Sequence, residues 1–220
     1  MREPFPDIDD LLAESHAAGQ AHPRLLWAVN RFWMESQNLK TRRYGHRSHH
    51  HWYLLRLALR TFDLLLRGTG LQGRGRRNAM DVALNEYTVP LPNLPAGFDG
   101  LTVLQLSDLH LDMMPGLEER ILSRIGNRSF DLCLLTGDYR GEVHGPTRPC
   151  LDAMGRLLPN LRSRLGIYGV LGNHDDVHMV SPLEEMGLGL LINESLLLRR
   201  GGDTIRLLGT DDVHYYHTDQ

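Results

Sequence analysis

The order of apolar and polar residues predicts helices in the first third of the chain. Pro23 suits the first turn of a helix, and apolar residues recur after it at helical spacing. From Trp52 to Leu66 apolar residues step by three and four, with arginines on the opposite face, which predicts a basic amphipathic helix. Residues 67–77 are rich in glycine and are predicted to form a linker.

Beyond residue 77 the pattern changes to short apolar runs separated by helical segments. Val82–Pro90 alternates like a strand, and Leu101–Leu106 is apolar enough for a buried strand. Further strands are predicted at residues 132–135, 167–171, 190–198 and 204–208, and helices at 117–125, 150–161 and 182–186. This alternation predicts an α/β sheet with crossover helices. We therefore divide the chain into a helical N-terminal region, residues 1–77, and an α/β region, residues 78–220.

Composition and charge limit the classes of protein to which the chain can belong. Hydrophobic residues make up 41% and charged residues 23%, as in an ordinary folded, water-soluble protein. Residues 101–220 contain 11 Lys or Arg and 17 Asp or Glu, whereas residues 1–100 contain 13 and 10. Clustered carboxylates suit hard cations better than a nucleic-acid backbone, so we expect no nucleic-acid partner.

Three features of the sequence bear on where in the cell the protein resides. Two cysteines give no disulfide framework, and the first residues lack the basic and apolar stretches of a secretory signal, so we expect a cytoplasmic protein. Arg56, Arg60 and Asp63 interrupt the basic helix, which therefore cannot span a membrane. Packing of its apolar face on the rest of the protein is the simpler interpretation. The alternative is peripheral contact with an anionic membrane at its inner face.

Three polar clusters follow three of the predicted strands. Ligands bind beyond the carboxyl ends of the strands in an open α/β sheet, so we expect the clusters to converge on one edge. They are Ser107-Asp108-Leu109-His110 after Leu101–Leu106, Gly137-Asp138 after residues 132–135, and Gly172-Asn173-His174-Asp175 after residues 167–171.

The residue types in these clusters favour cation binding. Asp108 and His110 are two residues apart, so in an extended segment both side chains point the same way and can hold one cation. The two oxygens of Asp138 can bridge two cations, and Asn173 adds a neutral carbonyl oxygen. Such a mixed oxygen and nitrogen site suits manganese, iron or zinc.

In this order the clusters resemble the motifs of the calcineurin-like metallophosphoesterases, which run Asp-x-His, Gly-Asp, Gly-Asn-His-Asp/Glu and, last, Gly-His-x-His. The resemblance covers about residues 83–220 and implies a sandwich of two β-sheets flanked by helices. It implies that Asp108 and His110 bind one metal ion and that Asp138 bridges to a second. Asn173 would bind that second ion.

The same resemblance implies a reaction. Members of the family hydrolyse phosphomonoesters or phosphodiesters with water that two divalent or trivalent metal ions activate. His174 would contact the phosphoryl group or protonate the leaving group, and Asp175 would orient that histidine. The basic helix suits contact with a membrane, so we include membrane lipid phosphates among the expected phosphate ester substrates.

The chain departs from the family pattern at two points. No Gly-His-x-His occurs in the 220 residues, and His214 and His217 lack the preceding glycine, so they are predicted to be surface residues. We therefore expect a truncated chain with impaired metal affinity. The alternative to an enzyme is a non-catalytic remnant that binds a partner through its helices. Arg140 stands where many relatives have an acid, and it either contacts a substrate phosphate or lies at the surface.

Overall fold

A four-stranded parallel sheet lies at the centre of the protein. The computed structural model describes residues 22–44, 49–143, 145–212 and 216. The strands lie side by side in chain order as β1 (Val103–Leu106), β2 (Leu132–Leu135), β3 (Ile167–Gly169) and β4 (Gly189–Leu190). Leu106 pairs with Leu135, and Leu135 pairs with Gly169. The first three strands therefore end at one common edge, as the sequence pattern predicted.

Helices connect the strands. In the described residues they are α1 (Pro23–Tyr44), α2 (His49–Gly68), α3 (Leu71–Ala79), α4 (Leu117–Ile125), α5 (Arg148–Leu157) and α6 (Val180–Glu185), with 3-10 turns at Ala96–Phe98, Leu158–Asn160 and Val177–Met179. Helix α5 shows why they form where they do. Its residues Cys150, Ala153, Met154 and Leu157 recur every three or four positions, and all four are buried in the core that β1 and β2 also line.

A two-stranded antiparallel sheet forms a second layer. Its strands are β5 (Glu194–Arg200) and β6 (Asp203–Gly209), joined by Gly201 and Gly202, whose φ angles of 59° and 91° suit a tight hairpin turn. Leu198 of β5 packs with Phe98 and with Leu132 of β2, which attaches this layer to the central sheet. The predicted α/β architecture is confirmed, although the strand predicted at residues 190–198 is divided between β4 and β5.

Helix α1 is attached to the main core through a largely charged face. Trp27 is 1% exposed and belongs to the main apolar core, and Arg31, one turn later, is fully buried. Phe32 and Trp33, by contrast, are 54% and 60% exposed. The sequence predicted this helix correctly, but its apolar residues do not identify the buried face.

Helices α2 and α3, called the arm from here on, leave a large apolar surface exposed. The exposed apolar side chains of α2 are Leu54, Leu55, Leu57, Leu59, Phe62, Leu64 and Leu65. The interpretation that this face packs on the rest of the protein is therefore wrong. In the part of the chain that the structure describes, no helix is both long enough and apolar enough to cross a membrane.

Two predictions of local structure are wrong. Most of the predicted linker forms α3, because the chain turns at Gly70 (φ 72°) and Gln72 Nε2 then donates to Asp63 Oδ1 of α2 at 3.0 Å. Val82–Pro90 contains no regular strand, although Val82 packs on the main core. Alternation in that segment marks a half-buried stretch, and alternation alone does not provide a neighbouring strand for hydrogen bonding.

Candidate metal and catalytic site

The loops after β1 and β2 are joined along their backbones. Asp108 N donates to Gly137 O at 3.1 Å, His110 N to Asp138 O at 3.1 Å, and Leu111 N to Tyr139 O at 2.9 Å. The pairing of β1 with β2 thus continues past the strands into the two loops. Their relative position is fixed by the backbone, before any side chain is considered.

This pairing brings three of the predicted ligands together. Asp108, His110 and Asp138 each offer one ligand atom, and these atoms lie within 4.8 Å of one another. Asp108 is exposed, and the other two side chains are half-buried, so the cluster is open to solvent on one side. Two carboxylates and an imidazole form a mixed oxygen and nitrogen set, which fits a divalent transition-metal ion.

The backbone at these three residues is in the left-handed region. The φ angles are 52° at Asp108, 42° at His110 and 54° at Asp138. For a residue other than glycine this conformation costs roughly 1–2 kcal/mol. The expectation that Asp108 and His110 converge because their segment is extended is therefore wrong. Two left-handed residues turn the chain so that both side chains meet Asp138, and the strain lies at the residues that make up the cluster.

Two histidine rings lie next to each other at the site. The ring centroids of His110 and His174 are 5.1 Å apart in an edge-to-face arrangement. Nδ1 of His110 is 2.8 Å from Arg140 O, and Nδ1 of His174 is 2.6 Å from Gly141 O. A carbonyl oxygen only accepts, so both Nδ1 atoms carry a hydrogen. Nε2 of each ring is then the nitrogen that can bind a cation or exchange a proton.

Asp175 holds the second and third loops together. Its buried carboxylate accepts from Asp138 N at 2.8 Å, Tyr139 N at 2.9 Å and Gly172 N at 2.8 Å. Burial raises the pKa of Asp175, the nearby Asp138 carboxylate adds to this, and the backbone hydrogen bonds oppose it. The family resemblance implied that Asp175 orients the His174 ring, but in the structure the Gly141 carbonyl is the partner of that ring and Asp175 organises the backbone.

Glycines allow these two loops to approach closely. Gly137 has a φ of 89°, and a Cβ on it would lie 2.7 Å from Gly172 Cα. A Cβ on Gly172 would in turn collide with Asp138 Oδ1. On the far side of Asn173, His174 N donates to Asp138 Oδ1 at 3.0 Å. Asn173 therefore lies between two residues that both contact Asp138.

Arg140 has a structural task that the sequence did not suggest. It is 3% exposed, and its Nε donates to His174 O at 2.7 Å. Its two Nη atoms donate to Gly145 O at 3.0 Å and Val143 O at 2.9 Å. Both interpretations offered for Arg140, a contact with substrate phosphate and a surface position, are therefore wrong. His214 and His217, which are predicted from the sequence to be surface residues, lie outside the described residues.

Sequence reasoning also missed the contribution of α1. Arg31 and Asp211, 180 positions apart, form a buried ion pair with 2.6 Å between Nη1 and Oδ1. The available signal was an arginine four residues after Trp27, on the same face of the helix as a large aromatic residue.

Comparison with known proteins supports the motif order. No family model matches the chain. It is 30% identical over 147 residues to an uncharacterized metallophosphoesterase of Bacillus subtilis, which covers 63% of this chain and 53% of that protein. It is 31% identical over 138 residues to a transmembrane protein with a metallophosphoesterase domain from Danio rerio, which covers 58% of this chain and 31% of that protein. The chain is thus similar in sequence to metallophosphoesterases.

A further relative has a defined substrate in its name. The chain is 34% identical over 95 residues to the UDP-2,3-diacylglucosamine pyrophosphatase of Chlamydia trachomatis, across 41% of this chain and 27% of that protein. The matched segments cover from about a quarter to about half of the length of these relatives. The family resemblance drawn from three short motifs is thus confirmed.

Proposed function

We propose that this protein is a metal-dependent hydrolase of phosphomonoesters or phosphodiesters. The observation that carries the proposal is the convergence of ligand atoms from Asp108, His110 and Asp138 within 4.8 Å, at the carboxyl edge of a parallel sheet. Asp138 and Asn173 would hold a second ion, with manganese, iron or zinc as the candidates. Similarity to proteins named metallophosphoesterases supports this assignment.

The residues of the chain have separable tasks in this proposal. Bound divalent cations would lower the pKa of water and neutralise charge on the phosphoryl oxygens. His110 is held in one orientation by its hydrogen bond to Arg140 O. His174 keeps a hydrogen on Nδ1 through Gly141 O, so Nε2 is the nitrogen that donates a proton to the leaving oxygen. The hydrogen bond from His174 N to Asp138 keeps that imidazole beside the cluster.

Metal titration of the Asp138→Asn variant tests the proposal. We expect Mn²⁺ affinity, measured by calorimetry on the full chain, to fall at least about tenfold, because an amide replaces a charged ligand. Hydrolysis of nitrophenyl phosphate and bis-nitrophenyl phosphate should fall with it. Asp152→Asn is the matched control, since Asp152 lies on the exposed side of α5 and pairs only with Arg148 in the described structure.

Each outcome of this titration has a clear meaning. Asp138→Asn that binds Mn²⁺ and turns over like the unmodified chain would contradict the proposal. An unmodified chain that binds no Mn²⁺, zinc or iron would favour the alternative, a non-catalytic protein that acts through its helical region.

We further propose that the substrate is a membrane lipid phosphate or diphosphate. One relative is a UDP-2,3-diacylglucosamine pyrophosphatase, and that name describes a lipid diphosphate substrate. The arm supports the same class, because it exposes arginines as well as leucines. The exposed arginines are Arg60, Arg67, Arg74, Arg76 and Arg77. A helix with an apolar face and a basic face suits the interface of an anionic bilayer. The cytoplasmic location, at the inner face of a membrane, stays a prediction.

Co-sedimentation with lipid vesicles tests this extension. We expect the full chain to bind vesicles that contain phosphatidylglycerol more strongly than vesicles of phosphatidylcholine alone. Arg60→Glu combined with Arg67→Glu should weaken binding by at least about tenfold, at about 1 kcal/mol for each arginine lost near the surface. Arg120→Glu with Arg124→Glu, at exposed positions of α4, makes the same change of charge outside the arm. Equal loss in both double variants, or no loss in either, would contradict the extension.

A further inference from the structure

A buried arginine of α1 contacts the loop that carries Asn173 and His174. Arg31 is fully buried, and its Nη2 donates to Gly172 O at 2.9 Å and to Asp175 O at 2.8 Å. One guanidinium nitrogen therefore binds the carbonyl groups on both sides of Asn173 and His174. The loop is held from α1, a helix more than 140 residues away along the chain.

The rest of the guanidinium is fixed by neighbouring groups. Its Nη1 donates to Asp211 Oδ1 at 2.6 Å and its Nε to Glu35 Oε1 at 2.9 Å, while the Tyr216 ring lies 3.7 Å from Cζ. A buried guanidinium is costly unless carboxylates and hydrogen bonds offset the loss of water. Here two carboxylates offset it, and they also fix the orientation of the planar group, which is what allows Nη2 to reach two carbonyls.

Glu35 extends the same attachment by two residues. Its Oε1 accepts from Val177 N at 3.2 Å as well as from Arg31. On the other side of the loop, Arg140 Nε donates to His174 O at 2.7 Å. The loop from residue 172 to residue 177 is thus held at both ends by α1 and in the middle by Arg140.

Arg31 is not needed simply to attach α1. Arg24, two turns earlier, donates to Glu194 Oε1 at 2.5 Å, to Glu184 Oε1 at 3.0 Å and to Leu190 O at 2.9 Å. These partners belong to α6, β4 and β5, away from the loop. Trp27 attaches the helix as well, through the core and through Asp211. The contacts of Arg31 with two loop carbonyls are therefore additional to docking.

We infer that Arg31 is a positioning residue for the proposed phosphoesterase site. It fixes the backbone on both sides of Asn173 and His174, so that the amide oxygen of Asn173 and the imidazole of His174 stay beside Asp138. This inference rests on the proposed function for its catalytic consequence, but the positioning itself belongs to the metal-free chain.

Hydrogen exchange on the metal-free chain tests the positioning directly. We expect Arg31→Gln to raise amide exchange in the segment 172–177 by about 10- to 100-fold relative to the unmodified chain, because the loop loses both carbonyl contacts. Arg31→Lys keeps the charge opposite Asp211 but lacks the planar fork, so it should raise exchange there as well. Arg24→Gln is the matched control: it weakens docking of the same helix, and exchange in the segment 172–177 should stay as in the unmodified chain.

Kinetics and metal binding supply the second readout. With Mn²⁺ and an alkyl phosphate ester, whose leaving oxygen needs a proton, Arg31→Gln should lower kcat by about 10- to 100-fold with a smaller change in KM, since a displaced His174 loses proton transfer more than it loses substrate affinity. Binding of one Mn²⁺ through Asp108, His110 and Asp138 should persist, because Arg31 touches none of them in the described structure.

Failure of the inference and failure of the proposed function give different results. If Arg31→Gln leaves exchange in the segment 172–177 unchanged, or if Arg24→Gln raises it equally, Arg31 is only a docking residue and the inference is overturned. If the unmodified chain binds no metal, the proposed function fails whatever the exchange data show.

Discussion

Helix α1 and the arm contain similar amino acids and use them in opposite ways. Helix α1 buries Arg31 and Trp27 against the core and the sheet-edge loops and leaves Phe32 exposed. The arm exposes its leucines, and α3 has no buried residue. The partners explain the difference. Carbonyls and carboxylates near the site need donors, which arginines of α1 provide. The part of a helix that becomes buried therefore depends on the surface that it meets as well as on its own pattern.

The largest contrast should appear in catalysis, between the arm and the loop that α1 contacts through Arg31. We expect His174→Asn to lower kcat by about 10²–10⁴-fold on an ester with a poor leaving group, because proton donation to that group is lost. A nitrophenyl ester, which leaves without a proton, should lose less. Arg60→Glu with Arg67→Glu on the arm should leave kcat on the same water-soluble ester unchanged. A large loss in the arm variant would show that the two regions are not separate.

The free energy of unfolding should also depend more on buried residues of α1 than on exposed residues of the arm. Trp27→Ala should lower the free energy of unfolding by about 3–5 kcal/mol, because it empties a buried site and removes the hydrogen bond from Nε1 to Asp211 Oδ2 at 2.6 Å. Leu59→Ala on the arm, where the side chain is 58% exposed, should change it by less than about 0.5 kcal/mol. Urea unfolding followed by circular dichroism measures both, and equal effects would remove the contrast.

A carboxylate beside the central sheet and a carboxylate of the arm should respond differently to pH. Hydrogen bonding from Thr102 lowers the pKa of Asp131, with burial opposing and Arg200 and Arg164 assisting. Because the pKa of Asp131 is lower in the folded state, its carboxylate stabilises the protein at pH values above its pKa in the unfolded chain, near 3.9. That contribution is lost as the pH falls through the pKa of the folded state. Asp131→Asn should therefore cost about 1.5–3 kcal/mol at pH 7, and the difference should shrink below about pH 4.

The arm offers the matched carboxylate. Asp63 forms an exposed ion pair with Arg67 at 2.9 Å, so Asp63→Asn should cost about 0.5 kcal/mol or less at pH 7. Unfolding by urea at a series of pH values compares the two variants. A cost for Asp131→Asn that stays constant down to pH 2.5 would contradict the role given to its carboxylate.

The smallest expected effect lies within the arm. Gly75 is inside α3 and faces open space, so Gly75→Ala should stabilise that helix by about 0.5–1 kcal/mol. Slower amide exchange across residues 71–79 measures the gain. Faster exchange would mean that the glycines are needed to form a turn, as expected for the linker predicted from the sequence.

The sequence predicted the parts of the site that are local and missed those that depend on distant contacts. Strand ends and motif residues such as Asp108 and Asp138 could be placed because a parallel sheet brings strand ends to one edge. The left-handed backbone at Asp108, His110 and Asp138 could not be predicted, because Asp and His adopt it more often than most residues but still only in a small minority of cases. The contact of Arg31 with Gly172 joins residues 141 positions apart, and no local pattern encodes that.

The interlocked loops also limit how the site can handle negative charge. The backbone N–H groups of Asp108, His110, Asp138 and Gly172 all donate to other groups of the protein. Anion sites built from loop amides, as in nucleotide-binding glycine loops, require such groups to be free. At these four positions the chain has no amide to offer an oxyanion. The proposed phosphate ester substrate gains no contact from these four amides, so we expect chelators to abolish binding of phosphate esters as well as turnover.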